Sequence, residues 1–146
     1  MDDLSSLFVG AFILTILIYI GCITYVNHMR TSFFKYIKKR NYQLVKNISI
    51  RFKDIPRRNT SGYAFSTADI IFLNKEIFLL PHNKPIMHIS QSSEIVPGAQ
   101  DKYKLSYFSI QQNILEIKAT RNTFNITFTL NFENKDFALL SVDRNL

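Results

Sequence analysis

Two patterns of apolar and polar positions divide this chain, and they meet near residue 27. From Leu7 to Val26 the run LFVGAFILTILIYIGCITYV holds twenty residues without a charge. A helix of that length spans about 30 Å, the hydrocarbon thickness of a bilayer. It is apolar on every side, more than a small soluble domain can cover. The run therefore predicts one transmembrane helix, residues 7–26, after a short extracytoplasmic segment, residues 1–6. Thr15 and Thr24 can return their hydroxyls to helix carbonyls, and Tyr25 is placed to sit at headgroup level.

From residue 46 onward the period shortens to two. In TFNITFTLNF, Phe124, Ile126, Phe128, Leu130 and Phe132 alternate with polar residues, the pattern of a strand with one buried face. ILEIKAT alternates Leu115, Ile117 and Ala119 against Glu116 and Lys118, and TRN joins the two as a hairpin. YKLSYFSI, with Tyr103, Leu105 and Tyr107 on one side, precedes them across the turn QQN. Upstream, ISIRF sets Ile48, Ile50 and Phe52 against Ser49 and Arg51, and a loop, DIPRRNTSG, follows.

DIIFLNKEIFLLP admits two assignments. Asn-Lys between Ile/Phe-rich runs predicts a tight hairpin. Ser66 and Asp69 also mimic a helix cap, with Ile70, Leu73, Ile77 and Leu80 at helical spacing. The hairpin is preferred, because the flanking runs are rich in β-branched and aromatic residues. PHNKP is a turn, IMHIS a short strand and QSSEIVPGAQD an exposed loop. ENKDFALLSV predicts one or two helical turns with Phe137 and Leu140 inward.

The expected fold is thus a single N-terminal transmembrane α-helix plus a mainly antiparallel β domain over 46–146, with about seven strands and a short C-terminal helix. That order of elements resembles the pleckstrin-homology-like barrel, in which a terminal helix plugs one open end. The resemblance is one of topology, and a β-sandwich remains the alternative.

The formal charge of +7 resides in one block. Residues 28–58 carry Arg30, Lys35, Lys38, Lys39, Arg40, Lys46, Arg51, Lys53, Arg57 and Arg58 against Asp54 alone. No Lys or Arg precedes the apolar run, so the positive-inside rule places the N-terminus outside and the C-terminal domain in the cytoplasm, at the inner membrane. Asn-x-Ser/Thr triplets at Asn47, Asn59 and Asn125 are too short to overturn this. In the basic connector, residues 27–45, Phe33, Phe34, Ile37, Asn41, Leu44 and Val45 fall near one helical face and Lys35, Lys38, Lys39 and Lys46 mostly on the other. Such a segment lies against headgroups, or continues the membrane helix and packs on the body. Tyr25, Phe33, Phe34 and Tyr36 are the candidate membrane-interface residues. Arg30, Lys35, Lys38, Lys39 and Arg40, together with Arg51, Lys53, Arg57 and Arg58 near the loop, are the candidate lipid or anion contacts. In pleckstrin-homology-like domains that loop often holds inositol phosphates.

Candidate chemistry is sparse. Cys22 is the only cysteine, which excludes an internal disulfide. YIGC resembles a bacterial lipoprotein box loosely, but Tyr19 stands where an aliphatic is usual and the apolar run continues past the Cys. No phosphate-cradling glycine loop, zinc signature or nucleophile motif occurs. His28, His82 and His88 form no metal-ligand spacing, and no two carboxylates share a strand face. Asp69 is expected to hydrogen-bond backbone. The chain is expected to be a non-enzymatic membrane protein without cofactor, whose partners are membrane lipid and another membrane or membrane-associated protein, and not nucleic acid. A protein-interaction or scaffold role leads. An anionic-lipid or inositol-phosphate-like ligand binder is the alternative, followed by an exported lipoprotein anchored at Cys22.

Overall fold

The computed structural model describes residues 2–53 and 66–133, with side chains from Leu7 onward. The C-terminal helix expected around Phe137 and Leu140, and Arg57 and Arg58 of the basic loop, lie outside the described residues. One helix, α1 (Asp2–Ile37), precedes seven strands: β1 (Gln43–Lys53), β2 (Thr67–Leu73), β3 (Glu76–Pro81), β4 (Ile86–Ser90), β5 (Ala99–Gln111), β6 (Ile114–Arg121) and β7 (Phe124–Asn131).

The strands close into a barrel in sequence order, β1 pairing with β7 through Ser49–Asn131 to Lys53–Thr127. Closure distinguishes this arrangement from a sandwich. Directions cannot alternate all the way round a ring of seven strands, so at least one neighbouring pair must run parallel. That pair is β4–β5 (Ile86–Ala99 to Ser90–Lys104), and all other pairs are antiparallel. A parallel pair needs a crossover, which the 91–98 segment supplies along the outside of the barrel.

Period-two patterning fills the interior. Ile48, Ile50, Ile70, Ile77, Ile89, Tyr103, Leu115, Ile117, Ile126, Phe128 and Leu130 are buried together in one cluster. Hairpin β2–β3 turns at Asn74 and Lys75, both at positive φ (44° and 66°), the conformation whose twist matches the flanking strands. This confirms the hairpin and excludes the helix over 68–80. Asp69 Oδ1 accepts the Asn47 N–H at 2.9 Å where β1 bulges and Asn47 takes φ 53°. The expected backbone bond is present, but from a strand and not a turn.

A second apolar cluster lies outside the barrel, where Phe33 and Ile37 of α1 meet Ile71, Leu73, Phe78, Leu80, Ile86 and Val96. It explains why β2 and β3 are apolar on both faces. One face fills the barrel and the other meets the helix. Two expectations are corrected here. Leu44 and Val45 belong to β1, not to a helical connector face, because the helix ends at Ile37 and the chain turns back. The 91–98 segment is not wholly exposed, since Val96 is buried under α1.

Candidate functional site at the helix–barrel junction

The last three turns of α1 are bolted to the barrel along a stripe at helical spacing. Val26, Met29 and Arg30 are half-buried, Phe33 and Ile37 fully buried, and Tyr36 half-buried. Phe33 stacks at 4.9 Å on Phe78. Burying a Phe is worth about 1.5–3 kcal/mol. Arg30 donates to the carbonyl of Pro81 and, at 3.5 Å, to that of Lys84. Gly98 sits at φ 82°, where a Cβ would collide with the Met29 carbonyl oxygen and lie 2.8 Å from the Phe33 nitrogen. Backbone cannot yield to such a contact, so only glycine lets the crossover touch the helix. Gln100 donates to the Tyr25 hydroxyl, and the Tyr36 hydroxyl donates to Glu94 at 2.9 Å.

These contacts orient the barrel along the helix. Gln100 meets Tyr25, Pro81 meets Arg30, Phe78 meets Phe33 and Glu94 meets Tyr36. Strand β3 therefore runs toward the apolar segment of α1, and so do β1 and β6, which the pairings make codirectional with it. The ends of β1 and β6 and the β3–β4 turn face the N-terminal side of the helix. The β2–β3 and β5–β6 turns face away.

The residues singled out from sequence are dispersed. Arg30 is turned into the barrel instead of outward, and Phe33, expected at a membrane interface, is fully buried, because β3 and β4 offer it an apolar floor. Tyr25 and Phe34 are exposed, and Phe34 is edge-on to Phe33 at 5.6 Å. Lys35, Lys38 and Lys39 are exposed, whereas Arg40 lies over the Tyr36 ring at 4.1 Å and 4.0 Å from Glu94. Arg51 and Lys53 are exposed near the end of β1 that faces the apolar segment. Cys22 is exposed on the helix.

Sequence reasoning missed a polar pair beneath the junction. His88 is 1% exposed, stacked at 4.6 Å on Phe78, with Nε2 at 3.3 Å from Glu76 Oε1. Ser90 Oγ donates to the same carboxylate oxygen at 3.3 Å. Burial, then the Lys102 charge, lowers the His88 pKa to about 4, against the pull of Glu94. Burial, then Glu94, raises Glu76, while Ser90, Arg40 and Lys102 pull it down. The outward register of Glu76, His88 and Ser90 was legible in principle; the docking of α1 on the neighbouring Phe78 was not. Among the described residues no group of His, Cys, Asp and Glu could hold a metal ion.

No family model matches the chain, and no curated protein or solved structure matches it. Helix α1 is long and apolar enough to cross a membrane, with Leu7 to Ile20 uncovered by protein.

Proposed function

We propose that the chain is a single-pass inner-membrane protein that holds its β-barrel in one fixed pose at the cytoplasmic surface, as a docking module for another membrane or membrane-associated protein. The observation that carries this is the absence of a linker. Helix α1 passes unbroken from its uncovered apolar segment into the barrel contacts, so the bilayer sets the height and tilt of the barrel. A flexible tether would suit recruitment from solution, whereas a rigid one suits assembly with a partner fixed in the same plane. The barrel is proposed to be pleckstrin-homology-like, on the strength of its seven strands neighbouring one another in sequence order. The cytoplasmic orientation rests on Lys35, Lys38, Lys39 and Lys46 following the apolar run. No catalytic constellation enters this reading, and none is proposed.

A second reading, an anionic-headgroup binder through Arg51, Lys53, Arg57 and Arg58, is favoured by the direction of β1, which carries Arg51 and Lys53 toward the membrane side. A protease-cleavable tag after Leu146 tests the common premise. It should resist protease added outside spheroplasts and be cut only after lysis. Cleavage in intact spheroplasts would place the barrel outside and remove both readings.

A further inference from the structure

A cleft of about 500 Å³ opens on the flank of the barrel, between the start of the 91–98 crossover and strands β5 and β6. Ser92, Ser93, Lys102, Lys104, Arg121 and Asn122 contribute to its walls, and no lining residue is acidic. The register explains this composition. Tyr103 and Leu105 point into the barrel, so Lys102 and Lys104 share the outward face of β5.

The hydrogen bonds leave the cleft rich in donors. Lys102 Nζ gives one proton to the Glu94 carbonyl at 2.5 Å, strapping the crossover to β5, and keeps two. Ser92 Oγ accepts the Glu94 N–H at 3.0 Å, so its own proton remains to be given elsewhere. Arg121 spends Nη1 on Asp101 at 2.7 Å and on the Tyr103 hydroxyl at 3.3 Å, which fixes the guanidinium and leaves further N–H groups. Asp101 offsets the Arg121 charge. Neither Lys102 nor Lys104 forms an ion pair among the described residues, although the Lys102 charge is felt by the buried Glu76, so the cleft carries a net positive charge.

We infer that this cleft binds a phosphate-bearing anion. Convergent cationic, hydroxyl and amide donors without a charged acceptor match a group that is acceptor-only and can take several bonds at once. The volume exceeds what a lone phosphate fills and falls within the usual range for an organic ligand. Gln100, at the membrane-side end of the cleft, reaches Tyr25 at the end of the apolar run, so a lipid headgroup and a soluble phosphate compound both have access. The inference does not depend on which side of the membrane holds the barrel, nor on Arg51 or Lys53.

The test uses the full chain in dodecylmaltoside micelles, which contain no phosphate. Amide shifts of Ser92, Lys104 and Asn122 are followed during titration with inorganic pyrophosphate and, separately, with dihexanoyl-phosphatidylglycerol. Saturable shifts with at least one probe are expected, weakened about tenfold in Lys104→Gln and unchanged in Lys75→Gln, a charge-matched control in the distant β2–β3 turn. Saturation by the lipid alone identifies a headgroup site, by pyrophosphate alone a soluble-ligand site, and by both a site that reads the phosphate itself. Failure of both probes to saturate, an unaltered affinity in Lys104→Gln, or equal weakening in Lys75→Gln would overturn the inference.

Discussion

The Glu76–His88 pair carries the sharpest consequence at the scale of single residues. His88 is held neutral in the folded chain down to about pH 4, whereas in the unfolded chain it titrates near 6.5. As pH falls through that window the unfolded state takes up a proton that the folded state refuses, so stability drops. Fully developed, the loss is about 3 kcal/mol. Glu76 works in the opposite sense. Its raised pKa means that the folded state regains a proton first on acidification, which returns part of the loss. Urea unfolding at pH 7, 6 and 5 should show a falling midpoint, a flatter profile in His88→Gln and a steeper one in Glu76→Gln. Equal slopes in all three proteins would mean that the pair does not titrate as its burial demands. Sequence alone marked His88 only as a residue on a short strand. Its neighbours Glu76 and Ser90 are brought to it by β3–β4 pairing, and its ring stacks on Phe78, which in turn packs on Phe33 of α1, more than fifty positions away in the chain.

At the scale of elements, the strands were legible and the junction was not. Period-two alternation located β6 and β7, and the Asn74–Lys75 turn decided between hairpin and helix, because both residues tolerate left-handed backbone better than a β-branched pair would. The stripe through Phe33 and Ile37 was visible as well, but a stripe does not name what covers it. A headgroup layer and a barrel wall demand the same spacing. The unusual apolarity of both faces of β2 and β3 was the complementary signal, since a strand buried on both sides needs an outer layer. Removing the ring that joins the two layers tests this. Phe33→Ala should cost about 3–5 kcal/mol of docking while leaving the barrel interior, to which Phe33 does not belong, intact. Trypsin should then cut after Arg30 in the variant and leave that one bond intact in the wild-type chain, whose Arg30 guanidinium is engaged by Pro81 and Lys84. Far-UV and near-UV circular dichroism would confirm that the barrel persists.

For the whole molecule, the continuity of α1 ties rotation in the membrane to the direction in which the barrel faces. A closed barrel was expected from the order of elements with a sandwich as the alternative, and the pairing that decides for closure, Ile50–Leu130, joins strands far apart in sequence. The parallel β4–β5 pair had no signal in the chain, because 91–98 reads as an ordinary loop. Yet the rigid connection gives the two proposed roles different mechanical signatures. Each residue added to a helix turns the downstream chain by about 100° and lifts it by about 1.5 Å. Two alanines inserted after Cys22 would swing the barrel by about 200°, whereas four would swing it by about 40° net while lifting it further. A partner that grips both the membrane helix and the barrel requires their faces to stay aligned. Its photo-crosslinks from the exposed Tyr107 position on β5 should be lost with two alanines and largely kept with four. A lipid-only role is indifferent to rotation about the membrane normal and responds to height instead, so four alanines would do more harm than two. The order of those two insertions therefore separates a protein-docking module from a headgroup reader.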